Sequence, residues 1–332
     1  MERASLRIGL LGAGRIGRIH GRNVAAHPRA RLVAVADAVV PAAAALAGAC
    51  GAAVREVESI VADRDVDAVV ICTPTDTHAD LIEAAARAGK AIFCEKPVSL
   101  DAQRTRACLR VVAETGAKLM VGFNRRFDPS FAAVRRRIEA GEAGRVELVT
   151  ILSRDPEPPP PSYVARSGGL FRDMMIHDLD MARFLLGEEP VEVHAVGSCL
   201  VDAGIGEAGD VDTAAVLLKT ASGKIAQISN SRRATYGYDQ RIEVHGSAGL
   251  LAAGNRHATT VTFADRRGYG TDPALPFFLE RYAEAYRAEL EAFVAAILDG
   301  APVSPTGEDG LRAQVLADAA TESARTGQAV RV

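Results

Sequence analysis

The chain has 332 residues, of which 48% are apolar and 24% are charged, and its formal net charge is −3. This length predicts two domains with hydrophobic cores of their own, and the charge argues against nucleic acid or an anionic membrane as a partner. No apolar run reaches the length that crosses a bilayer, and the charged first residues do not resemble a signal peptide. Five cysteines without CxxC spacing favour a reduced, cytoplasmic protein and argue against a zinc cluster.

The first 120 residues or so alternate between short apolar runs and amphipathic segments. Strands are predicted for the apolar runs and helices for the segments between them; the runs are LRIGLLG, RLVAVAD, DAVVICT, AIFCE and KLMVGF. Because these runs are continuously apolar, both faces of each strand should be buried. Residues 1–122 are therefore expected to form an α/β domain with a doubly wound parallel sheet.

The rest of the chain, residues 123–332, has a different pattern. Several segments alternate apolar with polar residues, which predicts a large, mostly antiparallel sheet with one open face. Helices are expected over 168–187, 279–298 and 307–326. We therefore expect an α+β domain for substrate binding and oligomerisation.

A glycine motif, GAGRIG, lies between the first strand and the first helix. Gly12 allows a tight turn, Gly14 lets a pyrophosphate approach the backbone, and Gly17 lets helix and strand pack closely. In this context the motif predicts a Rossmann-type dinucleotide site at the helix N-terminus rather than a plain glycine turn. Asp37, 20 residues after Gly17, should hold the ribose hydroxyls and repel a 2′-phosphate, so the predicted cofactor is NAD rather than NADP.

Lys96 is one of only 5 lysines among 39 basic residues. It follows the AIFCE strand, at the sheet edge where α/β domains bind ligands. Unlike arginine, lysine carries a compact ammonium group whose pKa can be shifted. A functional role is therefore favoured over the alternative, a plain salt bridge with Glu95.

The expected helix 168–187 carries three titratable residues, Asp173, His177 and Asp180, between two apolar flanks. On one helix the three would lie within about 60° of one another. A buried hydrogen-bond network is one interpretation, and catalysis is the other. Histidine, with a reference pKa of about 6.5, suits the base that oxidation of an alcohol requires. Asp173 could fix its tautomer or bind a neighbouring hydroxyl, whereas Asp180 is interpreted as structural, paired with Arg183 or with a backbone group.

These motifs, together with TPTDTH, VGFNRRFDP and YGYDQRIEVHGSAGLL, resemble the Gfo/Idh/MocA oxidoreductase family over essentially the whole chain, and its inositol 2-dehydrogenase branch most closely. The resemblance implies NAD-dependent oxidation of a cyclic polyol to a ketone, with myo- or scyllo-inositol as the expected substrate. It also implies a homotetramer or a dimer. Lys96, Asp173 and His177 would be the catalytic residues, with the lysine and the histidine supplied by different domains.

The resemblance further implies two sets of binding residues. The cofactor set is Gly12, Gly14, Arg15, Ile16, Asp37, Thr73, Pro74, His78, Glu95, Lys96 and Asn124. The substrate set is Lys96, Arg125, Asp155, Asp173, His177 and either Tyr236 or Tyr238. At position 155 the family pattern leads us to expect asparagine, so the aspartate leaves the identity of the substrate open.

The sequence raises three alternative functions. A pyranose dehydrogenase of the same family could use the same hydrogen-bonding side chains. A non-catalytic NAD sensor would not need Lys96, Asp173 and His177 together. A metal hydrolase built on DxxxH would leave the dinucleotide motif unused, and the chain has neither HExxH nor a cysteine cluster. No metal site is therefore expected.

Overall fold

The computed structural model describes residues 5–332, apart from the side chains of Pro161 and Ala165. These residues divide into two compact units. The first unit comprises the described residues up to Asn124 together with Ala285–Gln314, and the second comprises Arg125–Glu284 and Val315–Val332.

The observed boundary lies two residues from the expected one, but the segment Ala285–Gln314 belongs to the first unit and not, as the sequence suggested, to the second. Aromatic packing explains this placement. Phe293 of that segment packs edge-on against Phe93, with ring centroids 5.8 Å apart, and both side chains are fully buried. Such contacts between distant segments leave no local pattern in the sequence.

The first unit is built from alternating strands and helices. In chain order these are β1 (Leu6–Leu11), α1 (Arg15–Ala26), β2 (Ala30–Ala36), α2 (Val40–Cys50), β3 (Ala53–Val54), α3 (Val57–Ala62), β4 (Ala68–Ile71), α4 (His78–Arg87), β5 (Ala91–Glu95), α5 (Ala102–Thr115) and β6 (Leu119–Gly122). The strands form one parallel sheet in the order β3-β2-β1-β4-β5-β6. Because parallel strands share their carboxyl edge, the segments after β1, β4 and β5 lie side by side.

The second unit contains most of the remaining elements. They are α6 (Pro129–Glu139), β7 (Val146–Arg154), α7 (Pro161–Ser167), α8 (Gly169–Asp173), α9 (Ile176–Leu186), β8 (Pro190–Ser198), α10 (Ala203–Glu207), β9 (Thr213–Thr220), β10 (Ile225–Ser231), β11 (Asp239–Gly246), β12 (Gly249–Ala253), β13 (Thr262–Asp265), β14 (Gly268–Thr271), α11 (Phe278–Arg281), α12 (Ala283–Leu298), α13 (Gly307–Thr326) and β15 (Val330–Arg331). Helix α12 begins at the end of this unit and continues into the first, and α13 continues from the first unit back into the second.

A seven-stranded sheet forms the core of the second unit, in the order β12-β11-β7-β10-β9-β8-β15. All neighbouring strands are antiparallel except β7 and β10, which are parallel. Burial alternates along β9 and β11, and α9 packs against β7 and β10 on the buried face. The predicted fold class, a doubly wound parallel sheet followed by an open-faced antiparallel one, is confirmed.

The expected helix 168–187 is wrong in one respect, because the structure divides it into α8 and α9. The N–H groups of Met174 and Met175 both donate to the carbonyl oxygen of Leu170, at 3.1 and 2.9 Å. This shared acceptor ends α8 and shifts the hydrogen-bond register before α9 begins. Asp173 and His177 therefore lie on different helices, and the single-helix angle does not apply to them.

The two C-terminal helices were predicted with unequal accuracy. The segment 279–298 is divided into α11 and α12, whereas 307–326 forms α13 as expected. Within residues 5–332, none of the helices combines the length and apolarity needed to cross a bilayer.

Candidate active site

The glycine motif shapes the carboxyl end of β1. Gly12 has a φ of +98°, and a Cβ there would lie 2.6 Å from the carbonyl carbon of Cys72. A Cβ on Gly17 would lie 2.0 Å from the carbonyl oxygen of Gly12. Both positions therefore require glycine. Gly14 differs, because a Cβ there would meet no atom within 4 Å. The protein leaves an open cradle beside Gly14 at the start of α1.

This cradle suits the pyrophosphate of a dinucleotide. Arg15 and Ile16 are the first residues of α1, and Gly14 caps the helix without a side chain. Backbone N–H groups at such a terminus attract anions. Asp37 follows β2, and its carboxylate accepts hydrogen bonds from the N–H of Ala13 at 2.5 Å and of Val39 at 2.7 Å. The carboxylate is thus held next to the glycine loop, as a ribose-binding residue would be.

The segments after β4 and β5 are joined by a buried imidazole. His78 lies 2.8 Å from the carbonyl oxygen of Thr73 through Nε2 and 2.8 Å from that of Pro97 through Nδ1. Thr73 also makes a 2.6 Å hydroxyl contact with Thr77. His78 therefore fixes the two segments that border Pro74 and Lys96. A direct contact of His78 with the cofactor stays a prediction.

Glu95 ends β5 and lies in a carboxyl–imidazole cluster. Its Oε1 is 2.7 Å from Nε2 of His20, and Oε1 of Glu289 on α12 is 3.9 Å from the same nitrogen. Glu289 is fully buried, and this burial, together with the nearby charge of Glu95, raises its pKa well above the ordinary value. Gly122 makes room for the cluster, since a Cβ there would lie 3.1 Å from Oε2 of Glu95.

Asn124 closes the first unit immediately after β6. Its side chain is 3% exposed, and Nδ2 has no hydrogen-bond partner among residues 5–332. A buried donor without a partner is costly, and it fits a residue that serves a ligand. The open cradle at Gly14, the carboxylate of Asp37 and this unpaired amide are features of the first unit that fit a bound dinucleotide.

In the second unit, two predicted substrate residues flank an arginine. Asp155 follows β7, and its Oδ2 lies 3.9 Å from Nη1 of Arg232. Asp173 ends α8, and its Oδ2 lies 3.6 Å from Nη2 of the same arginine. The hydroxyl of Tyr163 donates to the other oxygen of Asp173 at 3.0 Å. Arg232 is only 2% exposed, so a buried cation lies between two carboxylates.

The surroundings of Asp155 perturb its ionisation. Burial is the main cause, and it raises the pKa of the carboxyl to about 6. Arg232 and, to a lesser extent, Arg125 oppose this rise, whereas the nearby carboxylates of Asp173 and Asp178 add to it. A group with such a pKa changes charge at mildly acidic pH.

Arg125 already has a charged partner inside the unit. It forms a close ion pair with Asp178, and its Nη2 donates to the hydroxyl of Ser153 at 3.3 Å. Asn230 donates to the second oxygen of Asp178 at 2.9 Å. Burial raises the pKa of Asp178, and Arg125 opposes that rise. A substrate contact by Arg125 stays a prediction, and the structure shows in addition that this residue anchors the core.

The remaining polar residues of α9 divide into two roles. His177 lies in the first turn and is partly exposed. Asp180 is buried and forms ion pairs with Arg126 at 2.5 Å and with Arg183 at 3.4 Å. The pairing of Asp180 with Arg183 was expected, and the closer contact with Arg126 was not. Asp180 is thus part of the structural core.

Of the two candidate tyrosines, one is exposed and one is buried. Tyr236 is 48% exposed, and its hydroxyl donates to Asp239 at 2.7 Å while accepting from Nη1 of Arg154 at 2.9 Å. Tyr238 is 5% exposed and packs edge-on against Tyr282. Tyr236 is therefore the one that a dissolved ligand can reach.

Comparison with known families decides the identity of both units. Residues 6–123 match the family model described as an oxidoreductase family with an NAD-binding Rossmann fold. Residues 131–252 match the model of the GFO/IDH/MocA C-terminal domain. The chain belongs to the Gfo/Idh/MocA oxidoreductase family. It is an NAD-dependent dehydrogenase, which confirms the predicted family, enzyme class and cofactor.

Individual relatives of this family member match along their full lengths. Inositol 2-dehydrogenase from Rhizobium meliloti is 63% identical over 319 residues, which cover 96% of this chain and 97% of the relative. A crystal structure of a myo-inositol dehydrogenase from Corynebacterium glutamicum superposes with a TM-score of 0.95 at 47% identity, covering 99% of both chains. The scyllo-inositol dehydrogenase from Lactobacillus casei, crystallised with NAD(H) and scyllo-inositol, has a TM-score of 0.90 at 32% identity, covering 98% of this chain and 99% of that one.

Sequence reasoning missed four residues of this oxidoreductase, two in each unit, that lie near predicted site residues. They are His20, Asp178, Arg232 and Glu289. The first three each contact a predicted residue that is distant in sequence, and Glu289 lies beside His20. One local clue existed for Arg232, because it follows a predicted strand in a segment rich in arginine. The other three carried no distinctive spacing.

Proposed function

We propose that this dehydrogenase oxidises one ring hydroxyl of myo-inositol or scyllo-inositol to the ketone, with NAD as the acceptor. The observation that carries the proposal is the cluster of Asp155, Asp173, Tyr163 and Arg232, in which two carboxylates face a buried cation. Carboxylates accept strong hydrogen bonds from hydroxyl groups, so such a pair suits a substrate with a hydroxyl on every carbon. The names of the full-length relatives support the same substrate class.

The proposed mechanism divides the oxidation between three side chains. His177 accepts the hydroxyl proton, and Asp173 orients either the imidazole or a neighbouring substrate hydroxyl. Lys96 stabilises the alkoxide that develops on the same oxygen. Bound NAD would supply the hydride acceptor, and the loss of one hydride and one proton converts the alcohol into a ketone.

The residues of the first unit are proposed to hold the cofactor. Gly14, Arg15 and Ile16 would contact the pyrophosphate, Asp37 the ribose, and Asn124 a polar group near the nicotinamide. Thr73, Pro74, His78 and Glu95 would shape the walls of the site. We also propose that Asp37 sets a preference for NAD over NADP, because its charge would repel a 2′-phosphate. A kcat/KM with NADP equal to or above that with NAD would contradict this preference.

A substrate panel tests the proposed activity. Purified enzyme with NAD is offered myo-, scyllo- and chiro-inositol, glucose and galactose, and the reduced nicotinamide is followed by its absorbance. We expect the highest kcat/KM with an inositol. A pyranose as the best substrate would favour a sugar dehydrogenase of the same family, and NAD binding without turnover on any compound would favour a sensor.

Two variants test the assigned roles in the same assay. His177→Ala should lower kcat by about 100-fold or more, the usual scale of lost acid–base catalysis, and near-normal turnover would remove His177 from the mechanism. Lys96→Arg keeps the charge but changes its shape, so we expect a large loss of kcat. An unchanged rate in that variant would reduce the role of Lys96 to charge alone.

We also propose that the chain forms a homotetramer, or at least a dimer, through the open face of the second sheet. Val196, Leu217 and Ile225 project from that face with exposures of 58%, 51% and 41%. They lie on β8, β9 and β10, and Val196 and Leu217 line a shallow groove of about 480 Å³ that runs across the strands. Exposed apolar patches of this kind commonly mark contacts between proteins. Five free thiols further support a cytoplasmic location.

A further inference from the structure

Arg232 is placed beside Asp155 by strand pairing. The parallel strands β7 and β10 align Arg154 with Ser231, so Asp155 and Arg232 are the residues immediately beyond two adjacent strand ends. The N–H of Asp155 donates to the carbonyl oxygen of Ser231 at 3.0 Å. The sheet itself therefore fixes the distance between these two charges.

The guanidinium of Arg232 faces two carboxylates without forming a hydrogen bond to either. Its Nη1 is 3.9 Å from Asp155 and its Nη2 is 3.6 Å from Asp173. Nε and Nη2 have no hydrogen-bond partner among residues 5–332. A cation that is only 2% exposed is costly to bury unless opposite charges stabilise it. The guanidinium therefore lies close enough to attract both carboxylates, and it holds neither of them by a hydrogen bond.

We propose that Arg232 is a positioning residue that keeps Asp155 charged and holds Asp155 and Asp173 at a fixed spacing, so that both accept hydrogen bonds from hydroxyl groups of one substrate. This inference rests on the proposed function, and it extends that function by naming what makes the site selective for polyols. An alcohol with a single hydroxyl group would engage only one of the two carboxylates.

The charges around Asp155 make this role necessary. Arg125 is the other nearby cation, but its charge is shared with Asp178 in a close ion pair. Burial disfavours the negative charge of Asp155, and the carboxylates of Asp173 and Asp178 repel it. Arg232 is the strongest of the groups that favour that charge. Without Arg232, Asp155 would take up a proton at a higher pH and become a weaker acceptor.

Arg232→Met tests the proposal, with Arg233→Met as the matched control, because Arg233 is the adjacent residue and is exposed. With the best inositol, Arg232→Met should raise KM by about 10-fold or more and change kcat less. The acid limb of kcat/KM should move to higher pH by about one unit or more. Arg232→Lys should restore part of both effects. Arg233→Met should match the wild type.

A double variant separates this role from general damage. In an Asp155→Asn background the acid limb should no longer respond to Arg232→Met, because the group that Arg232 keeps charged is gone. Arg232→Met alone leaves the charge of Asp155 without its main partner and could fail to fold for that reason. The double variant lacks that charge, and Arg232→Lys then supplies the single-site comparison. The proposal is overturned if Arg232→Met and Arg233→Met have the same KM and the same pH profile. If Arg232→Met does not fold, the proposal is overturned when Arg232→Lys has the KM and pH profile of the wild type and the double variant still shifts the acid limb relative to Asp155→Asn.

A measurement without substrate distinguishes this proposal from the proposed function. The melting temperature of the cofactor-free protein is followed from pH 4 to 8 for the wild type and Asp155→Asn, each with and without Arg232→Met or Arg232→Lys. If no polyol or sugar is oxidised, the proposed function fails. The part of the pH dependence of the melting temperature that Asp155→Asn removes is assigned to Asp155. If the pH midpoint of that part rises on loss of Arg232, the electrostatic role is still supported, and an unchanged midpoint would refute it.

Discussion

Gly14 and Gly17 provide a matched pair that separates cofactor binding from folding. A Cβ on Gly17 would lie 2.0 Å from the carbonyl oxygen of Gly12, whereas a Cβ on Gly14 would meet nothing within 4 Å. Gly17→Ala must displace backbone, at a cost of about 2–3 kcal/mol or more. That cost should lower the melting temperature of the first unit by about 4–12 °C. Gly14 has φ −66° and ψ −165°, which alanine adopts without strain, so Gly14→Ala should leave the cofactor-free protein equally stable or slightly more stable.

NAD should reverse the order of the two effects. At a concentration of 100 times Kd, a ligand stabilises a protein by about 2.7 kcal/mol. If the pyrophosphate occupies the cradle, the methyl group of Gly14→Ala should weaken binding by about 10- to 100-fold. The same NAD concentration would then add only about 0.4–1.4 kcal/mol. Differential scanning fluorimetry with and without NAD measures both quantities. A full NAD shift in Gly14→Ala would refute the placement of the pyrophosphate, and an unchanged melting temperature in Gly17→Ala would refute the steric argument.

Three further predictions concern charge and assembly. The pKa of Asp155 is raised to about 6, so its contribution to stability is complete below about pH 4 and is lost as the pH rises through 6. The stability difference between the wild type and Asp155→Asn should therefore change by about 2 kcal/mol between pH 4 and 8 in denaturant titrations. Glu289→Gln should leave the melting temperature at pH 7 nearly unchanged, because burial and the charge of Glu95 raise the pKa of Glu289 and so favour its neutral form. A large loss at pH 7 would show that the carboxyl is ionised. Leu217→Arg should lower the mass measured by light scattering without changing the circular dichroism spectrum, and an intact tetramer would place the interface elsewhere.

The features that could be predicted from the sequence are those that a short stretch of chain determines by itself. The motif GAGRIG specifies a turn and a helix start within a few residues, and five apolar runs specify a buried parallel sheet. Asp37 was predictable because the distance from motif to strand end is set by one strand–helix–strand unit. Each of these depends on local geometry, and the structure has them where they were expected.

The features that could not be predicted depend on contacts between distant segments. Asp178 was passed over in favour of its neighbours because helical spacing says nothing about its ion pair with Arg125, 53 positions away. The division between α8 and α9 was missed because it arises from a hydrogen-bond register shift at Leu170, and the apolar pattern continues through it. In the sequence, Glu289 is indistinguishable from an ordinary polar position of an amphipathic helix. Its burial becomes evident only from the packing of α12 against the first sheet.

The basic residues of the chain illustrate the limit of arguing from composition. Arg125 and Arg232 are buried among carboxylates, where a planar group that stays charged is needed. Other lysines have a different role: Lys90, Lys118 and Lys224 each donate to a backbone carbonyl oxygen, at 2.7, 2.6 and 2.8 Å. A compact ammonium suits that role, so the scarcity of lysine does not by itself indicate catalysis. What sets Lys96 apart is its place at the carboxyl end of β5, directly after a carboxyl group that the imidazole of His20 already engages. The case for Lys96 as a catalytic residue therefore depends on its position in the sheet, and the substitution by arginine tests that position rather than the charge.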